Sequence, residues 1–289
     1  MNLVRMPLPR TCTQCERGVV VSSGDDSAHF ARASVCACSA SCSTCSNTGY
    51  VFRRTDDGVF SSACSDCTPL RERARRYNAA GIPRRYASST VSSYNAETAS
   101  QKAAAHWFRE RRDSWIPGNE GLLLSGGVGT GKTHLMCAWL RYLTLHRDIS
   151  ARFIEFSHLL ADIKAGYSAG RSDAEIIGHL VDVPVLVIDE LGKQLNTDWQ
   201  LGILDALIST RYERNRSTFF TTNYAWEAPK IDHRSTDDFA RREISVVVGE
   251  RIASRIEEMC ARIHLIGTDY RRRGVASAHF QRLPLADGR

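Results

Sequence analysis

Short apolar runs alternate with amphipathic stretches through the second half of the chain. The runs are continuous and rich in Leu, Val, Ile and Phe, as is typical of strands buried on both faces. They predict strands over 121–125, 151–156, 185–188, 217–222 and 261–266. The stretches around them predict helices over 101–112, 133–146, 157–167, 173–181, 198–215 and 250–260, with Ser157 and Ser172 or Asp173 as N-caps of two of these. This alternation predicts an α/β fold, a parallel sheet covered by helices on both faces.

The first part of the chain follows a different pattern, since it contains eight of the ten cysteines. They form four pairs, three of them C-x-x-C: Cys12 and Cys15, Cys36 and Cys38, Cys42 and Cys45, Cys64 and Cys67. A C-x-x-C turn presents two thiolates to one metal ion, and two pairs complete a tetrahedral site. The sequence therefore predicts a small module stapled by two Zn²⁺ ions, which are structural because four thiolates leave zinc no open position. A redox dithiol relay and a set of plain buried thiols are the alternatives.

The spacing of the cysteines leaves open which two pairs share a metal ion. The stretch Cys42-Ser-Thr-Cys45-Ser-Asn-Thr-Gly49 resembles a repeat of the cysteine-rich region of DnaJ-type chaperones. That resemblance implies a nested arrangement, in which the first and last pairs share one ion and the two middle pairs share the other. Pairing in sequence order is the alternative.

A glycine-rich segment follows the first predicted strand and opens the next predicted helix. It fits the pattern G-x-x-x-x-G-K-[ST], which cradles nucleotide phosphates when it lies between a strand and a helix. Backbone N–H groups of the loop would bind phosphate oxygens, Lys132 would reach the β- and γ-phosphates, and the Thr133 hydroxyl would hold Mg²⁺. The predicted nucleotide-contacting residues are Gly126, Gly127, Val128, Gly129, Thr130, Gly131, Lys132, Thr133 and His134.

Two adjacent carboxylates, Asp189 and Glu190, end the third predicted strand of the sheet. Buried unpaired charge is costly, so packing alone does not explain them. Beside a phosphate loop, Asp189 would position Mg²⁺ and Glu190 would polarise the attacking water. Asn223 ends the next strand and would orient that water, although Asn also simply ends strands. The pair predicts hydrolysis rather than nucleotide binding alone.

These motifs, in this order, resemble the AAA+ ATPases, and more narrowly the helicase-loader branch typified by DnaC and DnaI and its relative IstB. The resemblance covers roughly residues 71–273. Besides the phosphate loop, it rests on Ala80-Gly-Ile-Pro-Arg-Arg-Tyr86, Leu186-Val-Ile-Asp-Glu-Leu-Gly192, Phe220-Thr-Thr-Asn-Tyr224, Glu250-Arg-Ile-Ala-Ser-Arg-Ile-Glu-Glu-Met259 and Gly267-Thr-Asp-Tyr-Arg271.

The resemblance implies an ATPase that forms homo-oligomers when ATP is bound, with each site shared between two subunits. Arg255 matches the arginine finger that completes a neighbour's site, and Arg251 is the alternative on the same helix face. Arg271 matches the arginine that contacts nucleotide within its own subunit.

The same resemblance implies a grip on single-stranded DNA by basic and aromatic residues. Lys164, Tyr167 and Arg171 are the candidates, with an ordinary exposed helix end as the alternative interpretation. The basic run over 71–76 has two interpretations as well, a solvated helix face or a nucleic-acid contact.

The predicted domains are a cysteine-rich zinc module over 1–70, a basic helix and linker over 71–100, and the AAA+ domain over 101–289.

The amino-acid composition is consistent with this interpretation and adds little to it. Of 289 residues, 43% are hydrophobic and 24% charged, ordinary values for a globular protein. The net charge of +6 permits a nucleic-acid partner without demanding one. No apolar run is long enough to span a membrane, and the segment MNLVRMPLPR lacks the core of a signal peptide, so a cytoplasmic location without membrane contact is expected.

The sequence therefore predicts a Mg²⁺-dependent ATPase that loads the replicative DNA helicase, with ATP, Mg²⁺ and Zn²⁺ as cofactors. Two alternatives remain at this point. One is an IstB-like ATPase that helps a transposase, and the other is a zinc-dependent adaptor with a slow ATP switch.

Overall fold

The computed structural model of the protein describes residues 12–24, 27–193, 195–226 and 242–272. Two antiparallel β-hairpins come first: β1 (Val19–Ser22) with β2 (Arg32–Val35), and β3 (Tyr50–Thr55) with β4 (Gly58–Ala63). Cysteine pairs flank each hairpin. The sequence pattern predicted neither hairpin, because these short strands carry no sustained apolar alternation.

Two helices lead into the larger part of the molecule, α1 (Thr68–Ala80) and α2 (Ala99–Arg111). Helix α1 contains the basic run, and its arginines mostly make contacts within the chain. Arg73 is buried and donates to the carbonyl oxygen of Arg17, while Arg76 pairs with Asp148 at 2.8 Å. Both interpretations of this run were therefore wrong for the buried Arg73. The ion pair of Arg76 joins the helix to the segment between α3 and β6.

In the remaining elements each of the first four sheet strands is separated from the next by one helix, or by two between β6 and β7. They are β5 (Gly121–Gly126), α3 (Lys132–His146), β6 (Ala151–Glu155), α4 (Phe156–Ser168), α5 (Asp173–Asp182), β7 (Val185–Asp189), α6 (Asp198–Glu213), β8 (Ser217–Thr222), α7 (Ile244–Val248), α8 (Glu250–Met259) and β9 (Cys260–Leu265). The five strands form one parallel sheet in the order β6-β7-β8-β5-β9. This arrangement confirms the predicted α/β class.

The sheet separates two hydrophobic cores, because alternate residues of each strand face opposite sides. Leu122 and Leu124 pack in the core formed with α1, α2 and α3. Leu123 packs in the other core, with α4, α5, α6 and α8. Val19 and Ala33 of the first hairpin belong to the α1–α3 core, so that hairpin is part of the main body. The second hairpin has a small cluster of its own around three cysteines.

One fully buried arginine ties α5 and α6 to the sheet. Arg211 of α6 donates to the carbonyl oxygens of Leu180, Val183 and Ser217, at 2.6, 2.8 and 2.7 Å. Burial lowers its pKa to about 9, which still leaves it protonated at neutral pH. A helix end leaves carbonyl groups without partners, and Arg211 satisfies those of α5.

Helix boundaries differ from the sequence predictions by one or two residues, with two differences of substance. Ser172 caps α5 as expected, with Glu175 completing a capping box. Ser157 is not a cap, since α4 begins one residue earlier and Glu155 occupies its N-cap position. Helix α7 was not predicted. The domain boundaries at 70 and 100 remain predictions. Within the predicted AAA+ domain, residues 194, 227–241 and 273–289 lie outside the described residues.

Candidate nucleotide site and cysteine clusters

A cavity of about 430 Å³ opens at the carboxyl edge of the sheet, where β5, β7 and β8 end. Strand order brings these ends together, because β5 is inserted between β8 and β9. Most of the predicted nucleotide and catalytic residues line this one cavity: Val128, Gly129, Thr130, Gly131, Lys132, Thr133, His134, Glu190, Asn223 and Arg271. Gly126 and Gly127 form the start of the same loop.

Close packing explains two glycines of the loop. Gly126 has φ +130°, and a Cβ there would lie 2.1 Å from the carbonyl oxygen of Leu265. Gly129 has φ +75°, and its Cβ would lie 1.7 Å from Asp269 Oδ1. Other residues rarely adopt such φ values, and the neighbouring atoms leave no room for a side chain. The loop is therefore fixed against the end of β9 and the segment that follows it.

Lys132 begins helix α3 and is almost fully buried. Its Nζ donates to the carbonyl oxygens of Gly126 at 2.7 Å and Gly127 at 2.8 Å. These contacts hold the ammonium group within the loop. A compact positive charge at a helix N-terminus suits phosphate binding.

Thr133 and Asp189 meet behind the loop. The Thr133 hydroxyl lies 3.0 Å from Asp189 Oδ1, and the Thr221 hydroxyl donates to the same oxygen. Burial raises the pKa of Asp189 to about 6. Among the described residues this carboxylate contacts the hydroxyl groups of Thr133 and Thr221 and forms no ion pair. Hard oxygen ligands of this kind fit Mg²⁺, with Thr133 and Asp189 as the residues that would hold it.

Glu190 takes a different direction from its neighbour because its backbone is left-handed, with φ +57°. A non-glycine residue in this region carries strain of about 1–3 kcal/mol, which the surrounding structure must offset. The N–H of Glu190 donates to Thr221 Oγ1 at 3.0 Å, and its carboxylate pairs with Lys193. This hydrogen bond with Glu190 raises the pKa of Lys193. The turn places the Glu190 side chain at the cavity, together with Asn223.

The two predicted arginines have different surroundings. Arg271 lines the cavity, and the N–H of its neighbour Tyr270 donates to the Gly129 carbonyl oxygen at 3.2 Å. Arg255 is not brought to the cavity of its own subunit. It lies on α8 and pairs with Asp205 of α6 at 3.2 Å.

Sequence reasoning missed one wall of the cavity. The segment over 87–98 has no helix or strand, as expected of a linker, but its residues contact the phosphate loop. Tyr94 is buried and donates to the Thr130 carbonyl oxygen at 2.8 Å, and burial raises its pKa to about 12. Ser89 contacts His134 Nδ1 at 3.2 Å. An aromatic residue in a stretch of Ser and Thr was the available signal.

The eight N-terminal cysteines form two groups, and all sulfur atoms of a group lie within 4.8 Å of one another. Cys12, Cys15, Cys36 and Cys38 form one group, and Cys42, Cys45, Cys64 and Cys67 form the other. The nested pairing implied by the DnaJ-type resemblance was therefore wrong. The pairs combine in sequence order because each hairpin brings together the cysteines on either side of it.

The sulfur separations match a tetrahedral zinc site. Zn–S bonds of about 2.3 Å place the ligands of a tetrahedron about 3.8 Å apart. The observed distances are 3.8 Å for Cys12–Cys36, 3.6 Å for Cys15–Cys38, 3.7 Å for Cys42–Cys64 and 3.6 Å for Cys45–Cys67. A disulfide would need about 2.05 Å. The donor sets therefore fit one Zn²⁺ each.

Residues 68–239 match the family model of the IstB-like ATP binding proteins, which is more than half of the chain. The chain belongs to this family. The IstB-like assignment agrees with the phosphate loop and with the cavity around it. It also confirms the resemblance found in the sequence, and neither hairpin lies within the matched residues.

Relatives of this IstB-like protein include replicative helicase loaders named DnaC. The Escherichia coli (strain K12) protein is 26% identical over 183 residues, 63% of this chain and 68% of that relative. The Buchnera aphidicola subsp. Baizongia pistaciae protein is 25% identical over 178 residues, 61% of this chain and 66% of the relative. The chain thus spans about two thirds of the length of these relatives.

Two solved structures share the fold. A crystal structure of the DnaC helicase loader is 28% identical with a TM-score of 0.54, covering 63% of this chain and 99% of that chain. A crystal structure of DnaI is 23% identical with a TM-score of 0.50, covering 65% and 93%. The AAA+ fold class is confirmed. Among the helices that the structure describes, none is long and apolar enough to cross a membrane.

Proposed function

We propose that this protein is an ATP-dependent loader of a replicative DNA helicase. The observation that carries the proposal is the single cavity that joins the phosphate loop to Glu190 and Asn223, in a chain similar to DnaC loaders in sequence and structure. The IstB-like match accounts for ATP binding. ATP hydrolysis, binding of the helicase and binding of DNA are the further parts of the proposal.

The proposed chemistry assigns one task to each cavity residue. Lys132 and the loop N–H groups bind the phosphates, while Thr133 and Asp189 hold Mg²⁺, which neutralises phosphate charge when bound. Glu190 breaks its ion pair with Lys193 and polarises the attacking water. Asn223 orients that water. Arg271 contacts the nucleotide in its own subunit. Arg255 stabilises charge on the γ-phosphate bound by a neighbouring subunit, so turnover requires a homo-oligomer.

The second hairpin is the proposed docking element for the helicase. Phe52 and Phe60 are 65% and 55% exposed, and Tyr50 and Val59 are also mostly exposed. Exposed aromatic side chains grouped on one small element indicate a protein interface. The Cys42–Cys67 cluster holds the base of this hairpin, which gives zinc a structural role in recruitment.

An affinity capture from native lysate tests the proposal. The bait is Glu190→Gln, which is expected to hold ATP without hydrolysing it, and bound proteins are identified by mass spectrometry. We expect the replicative helicase to be enriched. Adding Phe52→Ser and Phe60→Ser to the bait should reduce its recovery about tenfold or more. Val246→Ser, at a residue 77% exposed outside the hairpin, is the matched control and should leave recovery unchanged.

A transposase is the second candidate partner, because the family model that matches the chain is named for IstB. Enrichment of a transposase without the helicase would overturn the loading proposal and leave only the ATPase chemistry. Negligible ATP turnover, with or without DNA, would favour the adaptor with a slow switch. The cytoplasmic location remains a prediction, and reduced thiols at both cysteine clusters suit it.

A further inference from the structure

One carboxylate on α6 faces two arginines of α8. Arg255 Nη1 lies 3.2 Å from Asp205 Oδ1, and Arg251 pairs with Oδ2 of the same residue. The arginines are four residues apart, so they lie on one face of the helix. Their exposure differs sharply: the Arg255 side chain is 24% exposed and the Arg251 side chain 71%.

Two further contacts fix this arrangement. Ser209, one turn after Asp205, donates to Asp205 Oδ1 at 3.1 Å and orients the carboxylate. The ring of Tyr212 lies beside the Arg255 guanidinium, 6.0 Å from Cζ to the ring centroid. Arg255 is therefore held between a carboxylate and an aromatic face before any neighbouring subunit is present.

We propose that Asp205 is the positioning residue of the arginine finger. The inference rests on the proposed function, in which Arg255 completes the site of a neighbouring subunit. A flexible arginine loses rotamer freedom when it meets a phosphate, and the ion pair with Asp205 has already removed part of that freedom. Asp205 acts only through Arg255, because it lies outside the cavity that binds the nucleotide.

Charge and geometry both allow the finger to work while it remains paired. One carboxylate faces two guanidinium groups, so the cluster keeps a net charge of about +1 toward an incoming phosphate. A guanidinium has five N–H donors in a fixed plane. The hydrogen bond to Asp205 uses Nη1, and the other donors can face the phosphate. Asp205 thus orients the group without consuming its binding capacity.

A double-mutant cycle on the full-length protein tests this role. Asp205→Asn keeps the shape of the side chain and removes its charge. We expect kcat for ATP hydrolysis to fall about tenfold, with the affinity for ATP and the melting temperature unchanged. Asp205→Asn added to Arg255→Ala should cause no further loss of kcat, because the two residues act in series. Ser209→Ala should lower kcat in the same direction by a smaller factor.

The matched control is Glu213→Gln, an exposed carboxylate on the same helix, which should keep wild-type kcat. Mixing subunits then shows where Asp205 acts. Glu190→Gln subunits carry an intact finger but an inactive site, so adding them to Asp205→Asn subunits should raise turnover above the mean of the two proteins measured separately.

Four outcomes would contradict these expectations. Wild-type turnover by Arg255→Ala would contradict the assignment of Arg255 as an arginine finger, and with it the inferred role of Asp205. Loss of turnover by Arg255→Ala but not by Asp205→Asn would overturn the inference alone. An equal further loss when Asp205→Asn is added to Arg255→Ala, or no gain in the mixture, would show that Asp205 acts by another route.

Discussion

At the scale of single residues, two adjacent carboxylates have separate surroundings. Asp189 is buried among hydroxyl groups of Thr133 and Thr221, whereas Glu190 turns toward the cavity through a left-handed backbone. Neighbouring residues of a strand normally face opposite sides of the sheet. At the end of β7 the unusual φ of Glu190 redirects the second side chain instead, so one acid suits a metal and the other suits a water molecule.

This division of tasks predicts that the loop lysine and the second acid fail in different ways. Lys132→Ala removes the charge inside the loop, and ATP should bind at least about a hundredfold more weakly. Glu190→Gln keeps the side-chain shape, so ATP should bind within about threefold of wild type while hydrolysis falls about a hundredfold or more. Fluorescent-nucleotide titration and a phosphate-release assay measure the two effects. Tight ATP binding by Lys132→Ala would contradict the assignment of residues 126–133 as a phosphate-binding loop.

The residues of the cavity that belong to local motifs could be predicted from sequence. A loop such as 126–133 is recognisable because backbone geometry fixes the spacing of its glycines and lysine. Tyr94, Asp269 and Asp205 could not be predicted, since each acts through a partner distant in sequence. The pairing of Asp205 with Arg255, for example, exists only because α6 and α8 pack side by side.

At the scale of elements, α4 and the start of α6 form an aromatic and basic patch. Trp199 Nε1 donates to the Tyr167 hydroxyl at 3.0 Å, and the two rings lie 6.2 Å apart. Lys164 Nζ lies 5.5 Å from the Trp199 ring centroid. The sequence pointed to Lys164, Tyr167 and Arg171. Trp199 joins the first two of these only through packing. Aromatic rings beside a positive charge suit single-stranded DNA, because bases can stack on such rings, and this patch is the proposed DNA contact.

Replacing the central ring of this patch should weaken DNA binding and little else. Trp199→Leu is expected to weaken binding of a fluorescent oligothymidine about fivefold to a hundredfold, with ATP affinity retained. Trp226→Leu is the matched control, because Trp226 is also a half-buried ring beside an arginine, Arg262. Equal oligothymidine affinity for wild type and Trp199→Leu would favour an ordinary exposed helix end.

Strands and helices of the sheet were predictable because burial on both faces produces long apolar runs. The two N-terminal hairpins were not, and β4 shows why. Every residue of Gly58–Ala63 is exposed, so no alternation of buried and exposed positions specifies the strand. Metal ligation offers an alternative source of stability for such a segment. In the sequence it is indicated by the spacing of the cysteines and not by the hydropathy pattern.

At the scale of the whole molecule, the two cysteine clusters differ in what they are joined to. Glu16, next to Cys15, accepts from Arg141 Nε at 3.1 Å and pairs with His146, both on the helix that begins with Lys132. Val19 of the same hairpin packs in the main core. The cluster of Cys42 and Cys64 instead has its own small core and continues directly into α1. The first cluster thus supports the ATPase, and the second supports the exposed hairpin.

Loss of one metal site should therefore have different effects in the two clusters. Wild-type protein is expected to contain two Zn²⁺ per chain, by elemental analysis, and Cys15→Ser and Cys45→Ser one each. Cys15→Ser frees a hairpin that packs on the core. Its free energy of unfolding should fall by about 3 kcal/mol or more, lowering the melting temperature by about 6 °C or more.

Cys45→Ser should keep wild-type ATP affinity and the main melting transition, because the hydrophobic cluster around Cys45 is separate from the main core. Its β3–β4 hairpin should become sensitive to limited proteolysis, with cleavage in the segment between the first hairpin and α1. Equal stability losses in the two variants would show that the clusters form one cooperative unit with the ATPase. If wild-type protein without zinc melts at an unchanged temperature, the metal does not stabilise the fold. The 3.6–3.8 Å sulfur contacts would then be packing of reduced thiols.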